Sequence, residues 1–222
     1  MSGVRLVVLD MAGTTISDHG VVMDAFHRAL AEAGIVAQTA AFAEAERIVR
    51  DTMGQSKIEV FRRVLGAEAA AQRANADFEQ AYADLVRAGR VQPIPGAERV
   101  LAELRSRGIR TCLTTGFSAV TRETLLKELG WEHAVDLALS PSDAGRGRPQ
   151  PDMLWTAMLR LHAPGVAAVA AVGDTASDMQ AAERAGVALR CGVLTGTDKS
   201  ERLRKGGATH VLTSVGDLLA LL

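Results

Sequence analysis

Cysteine is nearly missing. Cys112 and Cys191 are too few for a disulfide framework, and neither has a neighbour at metal-binding spacing. A reduced, cytoplasmic setting is the expectation. Long apolar runs are missing too: none approaches the roughly 18–20 residues that a membrane span requires. Met1 leads directly into a short apolar run ending at Asp10, without the charged-then-apolar layout of a secretion signal. Neither charge dominates, since 25 basic residues face 26 acidic ones, and the net charge of -1 gives no support to a nucleic-acid or anionic-membrane partner. Lysine is scarce, with four against twenty-one arginines. What remains is ordinary for a globular chain: 48% hydrophobic residues over 222 positions suffice for one core, or a core with an added lobe.

Residues 6–9, Leu-Val-Val-Leu, form an apolar run that stops at Asp10. Runs of this kind read as strands buried on both faces, as in the middle of a parallel sheet. Similar runs cover 111–115, 137–139 and 166–172, with weaker ones at 188–194 and 210–212. Helical patterns lie between them at 97–107, 120–129, 151–161 and 177–185. Strands alternating with helices of this length predict an α/β fold, a doubly wound (Rossmann-like) parallel sheet. From about 17 to 90 the alternation stops, and amphipathic helices are expected at 22–33, 40–52, 56–65 and 69–88, punctuated by Gly34, Met53-Gly54 and Gly66. The predicted organisation is a core of 1–16 and 91–222 with an inserted all-helical cap of 17–90. The cap should lie over the carboxyl ends of the strands, where open α/β sheets place their sites.

Asp10 ends the first strand and enters the turn Met11-Ala12-Gly13-Thr14-Thr15. A carboxylate in that place can attack phosphorus or bind a hard cation, while turn N–H groups at Gly13 and the Thr14 hydroxyl can hold phosphate oxygens. Taken alone, it could equally be an Asp that caps the turn. Val172-Gly173-Asp174-Thr175-Ala176-Ser177-Asp178 repeats the signal after another strand. Asp174 can bind a metal with Asp178 behind it, or Asp178 can be a first-turn residue favoured by the helix dipole. Neighbouring parallel strands bring their carboxyl ends together, so Asp10 and Asp174 can share one magnesium ion. Thr114-Thr115-Gly116 adds a hydroxyl and backbone N–H groups, and Gly147-Arg148-Pro149 adds a permanent positive charge for phosphate.

In this order Asp10, Thr115, Arg148 and the Asp174/Asp178 pair resemble the four motifs of the haloacid dehalogenase superfamily, and the helical insert resembles its first type of cap. The resemblance covers essentially the whole chain. It implies attack on phosphorus by Asp10 and Mg²⁺ held by Asp10, the Ala12 carbonyl and Asp174. Water then hydrolyses the aspartyl-phosphate.

Two positions depart from the common phosphatase pattern. Ala12 stands where most of those enzymes carry a second Asp that protonates the leaving group, and Arg148 stands where Lys is usual. Asp-x-Ala-Gly-Thr, Thr-Thr-Gly, Gly-Arg-Pro and Gly-Asp-Thr-x-Ser-Asp resemble the phosphonoacetaldehyde hydrolase, or phosphonatase-like, branch. That branch cleaves a C–P bond through an imine on a cap lysine in a Met-Gly-x-x-Lys segment, and this chain reads Met53-Gly54-Gln55-Ser56-Lys57. A first-turn lysine is ordinarily a solvated surface group. In a chain that otherwise favours arginine, which cannot form an imine, Lys57 is the expected Schiff-base residue. Its amine must be neutral to attack, at a cost of about 4.6 kcal/mol at pH 7 for an unperturbed lysine, so the cleft has to supply desolvation or a neighbouring cation. Val60 stands where the branch carries a His thought to help proton transfer; Glu59 is next to it, and His27 is another candidate.

The expected activity is Mg²⁺-dependent hydrolysis of a 2-oxoalkylphosphonate. Alternatives are a phosphomonoesterase of the phosphoglycolate phosphatase or β-phosphoglucomutase type, with Lys57 only binding substrate, and a non-catalytic binding or regulatory protein. The partner is then a small phosphonate. The stripe Val22, Ala25, Phe26, Ala29 and Leu30 offers either a cap–cap homodimer face or a surface packed within the cap. Hinges are expected near 17–20 and 89–95.

Overall fold

The structure, a computed structural model, describes residues 3–17 and 19–222. Six parallel strands form the central sheet: β1 (Leu6–Asp10), β4 (Arg110–Thr114), β5 (Leu137–Leu139), β6 (Val169–Gly173), β7 (Leu189–Val193) and β8 (His210–Leu212). Their spatial order is β5-β4-β1-β6-β7-β8. β1 and β6 are buried at every residue because helices cover both faces, which is why they read as unbroken apolar runs rather than alternating ones. The chain leaves β1 towards β4 and β5 on one side and returns to β6, β7 and β8 on the other. That reversal opens a crevice beside the carboxyl end of β1, where Asp10 lies opposite Thr114.

The core helices are α5 (Ala97–Ser106), α6 (Ala119–Glu128), α7 (Asp152–Arg160), α8 (Ala176–Arg184) and α9 (Ser200–Lys205). The α9 helix was not expected from the sequence: it is short and charge-rich, and Leu203 is its one fully buried side chain. The sixth strand begins at Val169 rather than 166, because residues 166–168 form a 3-10 turn with Val166 exposed.

Between β1 and α5 the chain builds the cap: α1 (Val21–Glu32), α2 (Ala40–Asp51), α3 (Lys57–Leu65) and α4 (Glu68–Arg87). A two-stranded antiparallel ribbon joins it to the core, β2 (Ile16–Ser17) against β3 (Gln92–Pro93). Two-residue strands carry too little periodicity to be seen in sequence, and their pairing holds the two linkers side by side. Of the first expected hinge, Asp18 lies outside the described residues.

The chain has five phenylalanines and one tyrosine, and four of the five join that tyrosine in one cluster. Phe26 of α1, Phe61 of α3, and Phe78 and Tyr82 of α4 pack together, with ring centroids 4.6 Å apart for Phe26–Phe78 and 5.1 Å for Phe26–Phe61. Phe117 of the core completes it, 4.4 Å from Tyr82. The α1 stripe Val22, Ala25, Phe26, Ala29 and Leu30 is buried within the chain, so its apolar surface is spent on packing the cap. Among the described residues no helix is long and apolar enough to cross a membrane.

Phe78 contacts Phe26, Phe61, Tyr82 and Phe117 and is fully buried. Phe78→Ala is therefore expected to destabilise the protein by about 3–5 kcal/mol, read as a lowered urea midpoint. A change below about 1 kcal/mol would mean that the cluster adds nothing beyond surface cover.

Candidate active site

A cavity of about 460 Å³ lies between the cap and the carboxyl ends of the strands. It is lined by eight of the ten residues singled out in the sequence: Asp10, Ala12, Gly13, Lys57, Thr115, Gly116, Arg148 and Asp174. Thr14 and Asp178 are buried behind that wall.

Asp10 is buried at the end of β1, with Arg148 Nη1 2.5 Å from its Oδ1. The same nitrogen donates to Asp178 Oδ1. Asp178 is the N3 residue of a capping box at the start of α8. Its Oδ2 accepts from Thr175 N–H at 3.0 Å and Thr175 O–H at 2.5 Å, while Thr175 Oγ1 accepts from Asp178 N–H. Asp178 therefore orients Arg148 and the loop carrying Asp174. Arg148 spends one nitrogen on two carboxylates, and its buried Nε has no protein partner, so guanidinium capacity remains for an incoming anion.

Asp174 is held by the backbone around it. Its Oδ2 accepts from Thr197 N–H at 2.7 Å, and its Oδ1 accepts from the Thr14 hydroxyl at 3.4 Å. Thr14, expected to hold phosphate, thus directs its hydroxyl at Asp174, because its side chain is enclosed beneath the turn. Gly13 has φ +88°, and a Cβ there would stand 2.5 Å from Asp174 Oδ2. A side chain at 13 would need the left-handed region and collide with the carboxylate.

Three buried carboxylates, Asp10, Asp174 and Asp178, thus face one guanidinium. Burial first, with repulsion from Asp178 added and Arg148 opposing it, pushes Asp10 up to about 7. Burial, then repulsion from Asp10 and Asp178, raises Asp174 well above the usual carboxylate range. Hard oxygen donors with excess negative charge in a dry place fit a divalent cation. Asp10, the Ala12 carbonyl and Asp174 are the groups that would hold it. Among the described residues no group of three His, Cys, Asp or Glu side chains is placed to hold a metal ion, so a bound cation would need the Ala12 carbonyl or water beside the two carboxylates.

Thr115 ends β4. Its N–H donates to Leu139 O at 3.1 Å, and its hydroxyl oxygen accepts from Phe117 N–H at 3.2 Å. That arrangement leaves the hydroxyl proton to donate to an incoming acceptor. Gly116 is a contact point for the cap: its carbonyl accepts from Lys57 N–H at 3.2 Å, and a Cβ on it would meet the Gln55 carbonyl oxygen at 2.4 Å.

Lys57, at the first position of α3, is buried rather than solvated. Its Nζ lies 5.1 Å from the Phe117 ring centroid and 5.7 Å from that of Phe26. Val60 is buried in the cap interior. Glu59 pairs with Arg62 at 2.5 Å. His27 lies 3.2 Å from Glu46 on the outer side of the cap and against the Phe42 ring at 5.2 Å. Glu59 lines the second cavity described below, and His27 lines neither. His19, in the linker to the cap, does line the cavity. A second cavity, of about 600 Å³, shares Lys57, Gly116, Phe117 and Arg148 with the first and extends between α3, α4 and residues 141–150.

Sequence reasoning missed the loop after β7. Thr195 Oγ1 donates to Gly13 O at 2.7 Å, Thr197 holds Asp174, and Asp198 accepts from Ala176 N–H at 2.7 Å. Leu194-Thr195-Gly196-Thr197-Asp198 carries the same Thr/Gly/Asp turn signal at a strand end that marked the other loops. Phe26 and Phe117 carry no such mark, since nothing in sequence brings them to Lys57.

Residues 4–186 match the family model described as haloacid dehalogenase-like hydrolase. The chain is 31% identical over 220 residues to a phosphonoacetaldehyde hydrolase from Bacillus cereus, covering 88% of this chain and 78% of that protein. It is 29% identical over 259 residues to one from Nitratidesulfovibrio vulgaris, covering 99% and 90%. Among solved structures, a phosphonoacetaldehyde hydrolase-like protein from Oleispira antarctica superposes with a TM-score of 0.84 at 25% identity, covering 99% of this chain and 91% of that one.

A carboxyl group raised from near 3.8 to about 7 binds a proton more tightly in the folded protein than in the unfolded chain. Between those values the folded state holds the extra proton, so this contribution to stability falls as pH rises. With EDTA present, the melting temperature should therefore lose ground between pH 5 and pH 8. Millimolar Mg²⁺ should restore it mainly at pH 8, and Asp174→Asn should flatten both responses. An Mg²⁺ effect equal at the two pH values, and unchanged in Asp174→Asn, would remove the metal from these carboxylates.

Proposed function

The chain belongs to the haloacid dehalogenase-like hydrolases, and from that premise we propose that it cleaves the C–P bond of a 2-oxoalkylphosphonate, phosphonoacetaldehyde or a close relative. One observation carries the reading. The buried amine of Lys57 shares a cavity with Asp10 and Arg148, while Ala12 leaves no carboxyl group two residues after the nucleophile. A phosphomonoesterase needs an acid for its alkoxide leaving group. A phosphonatase needs an electron sink for a carbanion, and a lysine supplies one.

The phosphonate group would lie between Asp10 and the donors of Thr115, Gly116 and Arg148, with its carbonyl carbon at Lys57 Nζ. Lys57 adds to that carbonyl and water leaves, giving an imine. Asp10 then attacks phosphorus in line, and the P–C bond breaks as its electrons pass into the imine to form an enamine. Protonation of the enamine carbon and addition of water release the aldehyde or ketone and regenerate the amine. A second water attacks the phosphorus of the Asp10 aspartyl-phosphate and releases phosphate, so the sum consumes one water. Asp10, the Ala12 carbonyl and Asp174 would hold a Mg²⁺ ion, which would supply charge neutralisation for the phosphoryl oxygens. Arg148 adds a second positive charge, and it cannot compete for the carbonyl because it stays protonated.

The surroundings of Lys57 suit this work. Phe26 and Phe117 keep bulk water from the amine, and the backbone bond from Lys57 to Gly116 ties the cap lysine to the phosphate loop. The cavity beyond Lys57 leaves room for a substituent on the carbonyl carbon.

Borohydride trapping with phosphonoacetaldehyde, followed by peptide mass mapping, tests the reading. A reduced adduct on Lys57 is expected, and Lys57→Arg should lose phosphate release by at least about a thousandfold. Hydrolysis of phosphate monoesters that survives Lys57→Arg, with no adduct, would leave an ordinary phosphatase.

A further inference from the structure

Beyond the backbone seat of residues 53–57, a cap carboxylate grips the core. Glu79, in the middle of α4, reaches the first turn of α6. Its Oε1 accepts from Ser118 N–H at 3.3 Å, and its Oε2 accepts from the Ser118 hydroxyl at 2.6 Å and from the Thr121 hydroxyl. Ser118 is the N-cap of α6, and its Oγ already accepts from Thr121 N–H at 3.2 Å. Its hydroxyl proton is thereby left to donate, and Glu79 takes it. A negative charge from the other domain thus meets a helix start, where unpaired N–H groups and the helix dipole favour it.

The gripped segment adjoins the site. Ser118 directly follows Thr115, Gly116 and Phe117. Phe117 carries the Lys57 amine over one ring face, and it packs against Phe78 and Tyr82, on either side of Glu79 along α4. The cap therefore holds this core segment at two points: Lys57 N–H at Gly116, and Glu79 at Ser118 and Thr121.

We propose that Glu79 is a positioning residue that couples seating of the cap to the shape of the phosphate loop. With the cap seated, its carboxylate fixes residues 115–121 so that the Thr115 hydroxyl and the Gly116 backbone face the phosphoryl group. With the cap lifted, Ser118 and Thr121 lose their acceptor and the loop loosens. This rests on the cap-and-core site of a phosphoryl-handling hydrolase, not on which bond to phosphorus is cleaved.

The test uses the full chain with Mg²⁺ and orthovanadate as the phosphoryl probe. Hydrogen–deuterium exchange is followed over residues 115–122, with steady-state kinetics on phosphonoacetaldehyde and para-nitrophenyl phosphate alongside. In the unsubstituted protein the probe should slow exchange over this segment. Glu79→Ala should bind vanadate yet lose that protection, and kcat on the active substrate should fall about tenfold or more, further than KM changes. Glu79→Gln should be intermediate. Thr121→Val should lose part of the protection, and adding it to Glu79→Ala should cost no more, because the Thr121–Glu79 bond is one of the three that Glu79→Ala already removes. Should Glu79→Ala fail to fold, Glu79→Gln and Thr121→Val carry the same comparison. Full protection in these variants, strict additivity, or no vanadate-dependent protection in the unsubstituted protein would each overturn the proposal. Because the exchange measurement needs no turnover, failure of the C–P assay would not be mistaken for failure of this coupling.

Discussion

Everything at the site is arranged around buried negative charge. Asp10, Asp174 and Asp178 are gathered at the carboxyl ends of β1 and β6, and Arg148 is the guanidinium set among them. Like charges so placed resist ionisation, as the raised values of Asp10 and Asp174 express. Sites of this kind persist where a cation or a substrate completes the balance. The backbone supports follow from that demand: the glycine at 13, the capping box of α8, and the loop after β7 that offers Thr197 N–H to Asp174.

The cap brings the opposite environment. Its interior gathers four of the chain's eight Phe, Tyr and Trp rings and sets Lys57 beside them, so the amine lies in an apolar wall facing a charged floor. One chain thus supplies separate surroundings for a buried carboxylate and for an amine. They meet because the residues 53–57 segment rests directly on Gly116, where a side chain would hold the two apart. The contact between cap and core is therefore what brings the amine and the carboxylate to one cavity.

Much was legible in the residues themselves. Strands buried on both faces show as unbroken apolar runs, and charged or hydroxylated residues at their ends show as interruptions, so Asp10, Thr115 and Asp174 stood out. The change from alternating to purely helical periodicity marked the insert. Short elements were not legible: the ribbon of Ile16–Ser17 with Gln92–Pro93 and the helix Ser200–Lys205 have too few residues to show a period. His27 drew notice as a titratable group on a cap helix, but which face of that helix meets the cavity is a matter of packing, and packing turned Val22 and Met23 to it while His27 pairs with Glu46.

Sequence by itself therefore determined the sheet-and-cap architecture, the strand-end carboxylates and the lysine at position 57. Those follow from local periodicity and from several such residues recurring at strand ends in one chain order, although each alone has an ordinary structural reading. Tertiary structure alone decided the use of each group: that Thr14 serves Asp174, that Asp178 steers Arg148, that Phe117 of the core joins the rings around Lys57, and that Glu79 caps a helix of the other domain. Each of these is a pairing between segments far apart in the chain. Hydrogen bonds and ring contacts depend on distance and direction in space, which no spacing along a sequence encodes.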